Sequence, residues 1–219
     1  MKVKLVSHSK PSREIASEGL YDMQELIAFC ARVSNPANQY NTDTSDKLIK
    51  YLIKNKHWSP LEMVSVCLEI ETTRDIARQI LRHRSFSFQE FSQRYADPTK
   101  DMQFVTREAR LQDNKNRQNS IEVEDNLLQN EWYRSQQRAI FAAEREYKWA
   151  IANGIAKEQA RAVLPEGLTE SRIYMKGSIR SWVHYIEVRT DPTTQKEHRE
   201  VALQCAREIA KVFPNISNI

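Results

Sequence analysis

The chain has 219 residues, of which 40% are hydrophobic and 28% are charged. This length and composition predict one folded domain over residues 1–219 with a sizeable core, and they exclude a disordered chain. The longest apolar run, residues 139–143, is too short to span a bilayer, and the first residues lack a secretion signal. We therefore expect a cytoplasmic protein that contacts no membrane. The net charge of +4 is too small to indicate nucleic-acid binding by itself.

The amino-terminal half combines strand and helix patterns. Residues 22–33 and 45–55 carry apolar residues at helical spacing, and Asp22 can cap the first of these helices. Residues 63–71 alternate apolar and polar side chains, which predicts a strand with one buried face. The predicted elements up to residue 92 are a strand over 3–7, helices over 22–33 and 45–55, a strand over 63–71, a short helix capped by Thr73 and an extended segment over 85–92.

The carboxyl-terminal half is mainly helical. Residues 97–119 are polar and predict a loop with a short strand at 102–105, and residues 121–153 predict one or two long helices ended by Gly154. Further helices are expected over 156–164, over 178–188 and from Thr194, where Glu197 would complete a capping box, with a strand over 168–176. Because strands and helices mix without a regular βαβ alternation, the predicted class is α+β, a mixed sheet packed against long helices.

Cysteine, histidine and glycine are too sparse for several kinds of site. Cys30, Cys67 and Cys205 are far apart and sit among apolar neighbours, so we expect reduced core residues. The five histidines form no HxxxH or HxH pair, and we expect no metal site. Only four glycines occur and no two are close, which excludes a P-loop and a GxGxxG turn. Any nucleotide must then be held by side chains and helix ends.

An arginine-rich segment is the main functional signal. Residues 73–95 contain five arginines and one histidine against two acidic residues, and an unpaired arginine is costly to bury. Arg82-His83-Arg84 lies near a predicted helix end, where guanidinium groups can surround a phosphate. We expect Gln79 and Arg82 to share one helix face.

The segment that follows this triplet is predicted to be extended. Glu90, Ser92 and Arg94 are spaced by two residues, so they should point the same way, towards ribose hydroxyls and a phosphate. The alternative without a binding function is a solvated basic helix end followed by a surface strand.

The longer pattern resembles a known family. Arg82-His83-Arg84, followed after seven residues by Ser92, is similar to the signature of the flavin-dependent thymidylate synthases. Similarity extends to three other segments, which are His57-Trp58-Ser59-Pro60, residues 160–165 around Arg161, and residues 180–191 with Arg180, His184 and Arg189. This resemblance implies the family's fold and a homotetramer whose active sites are shared between subunits.

The resemblance also implies roles for individual residues. Those implied to bind dUMP are Gln79, Arg82, Glu90, Ser92, Gln93, Arg94, Arg161 and Arg189. Those implied to bind FAD are Ser59, Arg82, His83, Arg84, Glu90, Ser178, Arg180 and His184. His57 and Tyr95 would flank the flavin ring where the folate stacks. Arg189, beside the uracil, would be the catalytic residue.

The implied reaction converts dUMP to dTMP. NADPH reduces FAD, 5,10-methylenetetrahydrofolate donates the carbon, and the reduced flavin delivers a hydride to the pyrimidine. No cysteine lies in an electropositive segment to act as a thiolate, which fits this route. The chain departs from the family where asparagine is common, at Gln89, Ser178 and His184, and where histidine is frequent, at Thr193.

Two other functions remain open from the residues alone. A nucleic-acid-binding domain could use the basic patch over residues 74–94, and would show steep salt dependence without a chromophore. A purely structural helical protein could present residues 121–153 to a partner, but this leaves the arginine pattern unexplained. A flavin absorption spectrum of the purified protein would separate these possibilities.

Overall fold

A four-stranded antiparallel sheet lies at the centre of the fold. In the computed structural model, which describes residues 1–218, the strands are β1 (Lys2–His8), β2 (Ser65–Thr73), β3 (Ser87–Glu90), β4 (Arg110–Gln112), β5 (Ser120–Glu122) and β6 (Glu170–Ser178). The main sheet has the order β1-β2-β6-β3, and β4 and β5 form a separate hairpin. The alternation predicted for the second strand is confirmed, since Val66, Leu68 and Ile70 are fully buried.

Helices account for most of the remaining ordered chain. They are α1 (Arg13–Ser17), α2 (Met23–Ala31), α3 (Ser45–Lys54), α4 (Arg74–Ile80), α5 (Pro98–Asp101), α6 (Asn126–Ala152), α7 (Lys157–Ala160), α8 (Ile179–Arg189) and α9 (Lys196–Ala210). Short 3-10 turns occupy Pro36–Asn38, Ser59–Glu62, Arg161–Val163 and Pro214–Asn218. Over residues 1–218, no helix has the length and apolar composition needed to cross a bilayer.

Two predicted helix boundaries are confirmed by their caps. The Asp22 carboxylate accepts a hydrogen bond from the Glu25 backbone N–H at 2.8 Å, and Glu25 accepts one from the Asp22 N–H, so α2 begins with a capping box. Gly154 follows the end of α6 with φ of +76°, a conformation that glycine adopts without strain.

The main core lies between the sheet and the carboxyl-terminal helices. Strand β6 passes directly into α8, whose Trp182 is fully buried and donates from Nε1 to the carbonyl oxygen of Val66 at 3.1 Å. From α9, Val201, Cys205 and Ile209 enter the same core. A smaller apolar cluster joins α6, α7 and the turn after α7. This arrangement confirms the α+β class, but the predicted mixed sheet is wrong in detail, since all strand pairs of the main sheet are antiparallel.

Several local predictions are wrong because long-range contacts decide the structure. Residues 102–105 form no strand, since only Phe104 bridges to Thr169. The long helix begins at Asn126, after residues 120–122 have paired with β4. Residues 97–119, predicted to be mainly a loop, therefore contain helix α5 and strand β4 of the hairpin.

Both predicted threonine caps are also wrong. Thr73 precedes α4, but its hydroxyl donates to the Asp75 carboxylate at 2.6 Å and caps no backbone N–H. The Thr194 hydroxyl donates to the carbonyl oxygen of Val188, and the Glu197 carboxylate binds Arg110 and Gln195 instead of closing a capping box.

Gly177 in β6 leaves room for the ring of Phe86, which follows the arginine triplet. A Cβ atom at residue 177 would lie 2.5 Å from Cδ1 of Phe86, whose ring is held edge-on by Trp182 at 4.8 Å between centroids. We expect Gly177→Ala to lower the free energy of unfolding by about 1–3 kcal/mol in urea denaturation. Gly167→Ala is the matched control, because the nearest atom to its added Cβ lies 3.9 Å away. Equal stability of the two variants would contradict this expectation.

Candidate active site

A cleft of about 830 Å³ opens where α8 ends and α9 begins. It brings together Gln79, His184 and Arg189, three of the residues singled out from the sequence. Its remaining lining comes from α8, the loop that follows and the hairpin, and consists of Gln118, Glu187, Val188, Asp191, Thr193, Thr194 and Gln195. The lining is mostly polar, so it offers several hydrogen-bonding groups to a polar ligand.

Arg189 is the arginine that lines this cleft. Its Nε donates a hydrogen bond to Nε2 of His83 at 2.9 Å, and the side chain is half-buried. Within residues 1–218 no carboxylate lies within ion-pair distance of Arg189. A partly buried guanidinium without a counter-ion favours an anionic or electron-rich ligand, because pairing restores the stabilisation lost with water.

His83, in its neutral form, accepts the hydrogen bond that holds Arg189 in place. An imidazole nitrogen that accepts from a guanidinium must be unprotonated. Burial lowers the pKa of His83 to about 4, and the nearby charge of Arg189 acts in the same direction. The ring also lies edge-on against Tyr185, with centroids 4.9 Å apart. His83 therefore orients the arginine in this chain, a contact additional to the flavin contact implied by the resemblance.

Neutral buried histidines make the stability depend on pH. Burial also lowers the pKa of His198, to about 3, against an ordinary value of 6.5 for both groups. The unfolded chain takes up protons near pH 6.5, whereas the folded chain stays unprotonated until about pH 4 and 3. We expect the free energy of unfolding to fall as pH drops below about 6.5, by up to roughly 1.4 kcal/mol per pH unit per histidine, and by less for the partly exposed His83.

Denaturant unfolding measured between pH 8 and pH 4 checks this dependence. Replacing His198 with asparagine removes one of the two groups, so the slope in that variant should be shallower. A slope that the substitution leaves unchanged would show that His198 does not contribute.

The other members of the arginine triplet are exposed. Helix α4 ends at Ile80, so Arg82 lies beyond it, and the prediction that Gln79 and Arg82 share one helix face is wrong. Among the described residues, Arg82 and Arg84 have neither an ion pair nor a side-chain hydrogen bond. Their guanidinium groups are thus available to phosphates.

The extended segment ends earlier than predicted. Strand β3 stops at Glu90, and residues 92–95 form a turn in which the Tyr95 N–H donates to the Ser92 carbonyl oxygen at 3.1 Å. The expectation that Glu90, Ser92 and Arg94 point the same way along one strand is therefore wrong. Glu90 accepts from the Ser171 hydroxyl at 2.9 Å. Gln93 is buried, and its Nε2 has no hydrogen-bond partner among residues 1–218.

A second group of predicted residues forms around Glu158. Arg94 Nε lies 3.3 Å from the Glu158 carboxylate, and Arg161 Nε donates to the Glu158 carbonyl oxygen at 3.3 Å. Neither arginine lines the cleft that contains Arg189. In a single chain, the predicted nucleotide-binding residues thus lie in two places, the cleft with Arg189 and the surface around Glu158.

The predicted flavin residues on α8 are near one another. Arg180 and His184 line a cavity of about 60 Å³ with Trp58 and Glu187, and Arg180 also lies 3.7 Å from Glu62. Ser178 caps α8, since its hydroxyl accepts from the Ser181 N–H at 3.2 Å. Serine and asparagine are both good N-cap residues, which explains why serine is tolerated here.

Ser59, predicted to bind FAD, and the two residues predicted to flank the flavin ring lie at the surface of this chain. His57 and Ser59 are exposed, and the His57 ring packs edge-on against Tyr51, with centroids 5.8 Å apart. Tyr95 is 79% exposed. None of the three lines the 830 Å³ cleft.

The expectation that all three cysteines are core residues is wrong in part. Cys205 is buried in the core, but Cys30 and Cys67 are half-buried. Burial raises the pKa of each thiol. Among the residues that the structure describes, no cysteine lines the cleft, and no cluster of three or more potential metal ligands occurs.

Sequence reasoning missed the side chains that support Gln79. His198 is fully buried and contacts both Gln79 and Tyr185. It precedes Val201 and Cys205 by three and seven residues, so its place on the buried face of the last helix was a usable signal.

A family profile matches almost the whole chain. The family described as thymidylate synthase complementing protein matches residues 18–215. The chain belongs to this family. The resemblance stated from the arginine pattern is thereby confirmed.

Individual members of the thymidylate synthase complementing family are similar over nearly their full lengths. The chain is 50% identical over 218 residues to a flavin-dependent thymidylate synthase of Synechocystis sp., covering 99% of this chain and 98% of that protein. It is 47% identical over 220 residues to a probable flavin-dependent thymidylate synthase of Paramecium bursaria Chlorella virus 1, covering 99% and 97%.

A solved structure shares the fold. The UMP/dUMP methylase PolB from Streptomyces cacaoi, bound with 5-Br dUMP, superposes with a TM-score of 0.79 at 27% identity. The match covers 96% of this chain and 90% of that one. The expected family fold is confirmed.

Proposed function

We propose that this chain is a flavin-dependent thymidylate synthase that methylates dUMP to dTMP. One observation carries the proposal: in a chain 50% identical to an enzyme of that name, Arg189 faces a polar cleft with Gln79, and no carboxylate among residues 1–218 pairs with it. A pyrimidine nucleotide supplies both the phosphate and the electron-rich ring that such a site favours.

The residues near the cleft fit a flavin nucleotide. Arg82 and Arg84 are exposed cations without protein partners among the described residues, and Arg180 and His184 line the adjoining small cavity. We assign the flavin to the set predicted from the sequence, namely Ser59, Arg82, His83, Arg84, Glu90, Ser178, Arg180 and His184. Bound FAD supplies hydride transfer to the pyrimidine. The protein's own groups bind its phosphates and exclude water.

Arg189 is the proposed catalytic residue. Its guanidinium, oriented by neutral His83, stabilises negative charge on the uracil as the ring becomes nucleophilic. The three thiols lie outside the cleft and have raised pKa values, which supports a route without a cysteine nucleophile.

The remaining co-substrates follow from family membership. We propose NADPH as the reductant and 5,10-methylenetetrahydrofolate as the carbon donor, with His57 and Tyr95 flanking the flavin where the folate stacks. We assign dUMP to Gln79, Arg82, Glu90, Ser92, Gln93, Arg94, Arg161 and Arg189. A cytoplasmic location belongs to the same proposal.

A homotetramer with shared active sites would unite the two groups of predicted residues. In one copy, Arg94 and Arg161 lie beside Glu158 and outside the cleft of Arg189. Helix α6 exposes more than 40% of each of five large apolar side chains, which suits burial against another subunit. These residues are Leu127, Trp132, Tyr133, Phe141 and Trp149.

The absorption spectrum of the purified protein, followed by a dTMP assay, tests the function. We expect a yellow protein that forms dTMP from dUMP, NADPH and the folate. Arg82→Ala should weaken dUMP or flavin binding by about 10- to 100-fold, the loss of a charge-assisted hydrogen bond. Arg13→Ala, which removes an exposed arginine of α1, is the matched control. A colourless protein that binds neither FAD nor dUMP would refute the proposal.

A further inference from the structure

A chain of side-chain hydrogen bonds runs from the core to the cleft. The Tyr185 hydroxyl lies 3.1 Å from Nε2 of His198, and Nδ1 of His198 lies 3.2 Å from Oε1 of Gln79. Gln79 Nε2 donates to Oε1 of Gln195 at 2.8 Å, and Gln195 Nε2 donates to the Glu197 carboxylate at 3.0 Å. This relay joins residues that are up to 119 positions apart in the sequence.

A carboxylate at one end fixes the direction of every bond in the relay. Glu197 can only accept when ionised, so Gln195 must turn its NH₂ group towards Glu197 and its oxygen towards Gln79. Gln79 must then donate to Gln195 and turn its own oxygen towards His198. His198 must donate from Nδ1, which leaves Nε2 to accept from the Tyr185 hydroxyl. Any other orientation leaves two acceptors or two donors facing each other.

The surroundings keep Glu197 and His198 in the protonation states that the relay requires. Burial acts to raise the pKa of Glu197, but hydrogen bonds from Arg110 and Gln195 overcome it and lower the pKa below its usual value. His198 and Tyr185 are fully buried, and burial keeps His198 neutral, with its pKa at about 3. The relay is therefore ionised at Glu197 and neutral at His198 near neutral pH.

We propose that His198, fixed by Tyr185, is a positioning residue that sets the amide of Gln79 in a single orientation for the pyrimidine nucleotide. The Gln79 carbonyl oxygen is occupied by His198, and one amide hydrogen is occupied by Gln195. The second amide hydrogen has no acceptor among residues 1–218, so Gln79 meets its ligand as a donor. A donor at this place recognises a carbonyl or phosphate oxygen. This inference rests on the proposed function for the identity of that nucleotide.

Two substitutions of similar polarity distinguish positioning from packing. In His198→Asn, the side-chain amide nitrogen takes the place of Nδ1 and can still donate to Gln79. In His198→Gln, the amide reaches the position of Nε2 and leaves Gln79 unsupported. With the flavin-loaded protein, calorimetry should give a dUMP dissociation constant raised about 10-fold in His198→Gln and by less than about 2-fold in His198→Asn. The Michaelis constant for dUMP should follow, with little change in turnover.

Controls separate this inference from the proposed function. Ile209→Val removes one buried methyl group from the same helix outside the relay and should leave dUMP affinity unchanged. Adding His198→Gln to Gln79→Ala should cause no further loss, because both changes remove one interaction. Equal affinities in His198→Gln and His198→Asn, or additive losses in the double variant, would overturn the positioning role. Failure of the unsubstituted protein to bind dUMP would instead refute the proposed function.

Discussion

Replacing Arg189 with alanine is expected to lower turnover by a few hundred-fold or more, and to change dUMP affinity much less. In the proposed mechanism the guanidinium acts mainly on charge that develops on the ring during reaction, and losing one such contact typically costs about 3–4 kcal/mol of transition-state stabilisation. The structure supports this assignment, since Arg189 faces the cleft, donates to His83 and pairs with no carboxylate in the part of the chain that is described.

Steady-state kinetics at saturating dUMP, with a separate measurement of dUMP binding, checks the prediction for Arg189→Ala. Arg13→Ala is again the control, because it removes the same charge from an exposed helix. Arg189→Lys should recover only part of the rate, since a lysine cannot donate to His83 and the ligand in the same planar geometry. Turnover of Arg189→Ala close to that of the unsubstituted enzyme would contradict the catalytic assignment.

Replacing Trp182 with alanine is expected to lower the free energy of unfolding by about 3–5 kcal/mol. The indole is fully buried, packs edge-on against Phe86 and Tyr185 at 4.8 and 5.8 Å, and donates to the Val66 carbonyl oxygen. Its removal leaves a cavity between α8 and the sheet and removes the hydrogen bond to Val66.

Urea denaturation of matched aromatic variants measures this contribution. Trp182→Phe keeps much of the apolar volume and should be destabilised less. Tyr21→Ala removes an aromatic ring that is 73% exposed, and should change stability by no more than about 0.5 kcal/mol. Similar losses in Trp182→Ala and Tyr21→Ala would show that the Trp182 contacts contribute little.

The features that the sequence predicted correctly depend on local chemistry. The alternation in β2 and the Asp22 cap of α2 involve residues within a few positions of one another, so their patterns are visible in the chain. The family resemblance was predictable because Arg82-His83-Arg84 and Ser92 are close in sequence. The approximate ends of α8 followed from its apolar spacing in the same way.

The incorrect predictions concern residues whose partners are distant. Glu197 has the spacing of a capping box, but Arg110, 87 residues away, binds its carboxylate and removes it from the helix start. The hairpin of β4 and β5 depends on pairing across a polar stretch with weak strand propensity. The relay through His198 and Gln79 joins two helices that no local pattern relates.

The direct passage from β6 into α8 has a geometric consequence. Ser178 is both the last strand residue and the helix cap, so no loop separates the sheet from Arg180, His184 and Arg189. Inserting one residue at this junction would rotate every later side chain by about 100° around the helix axis while the strand kept its register. A change of length at this junction would therefore displace Arg180, His184 and Arg189 from their places, whereas exchange of one side chain for another would not.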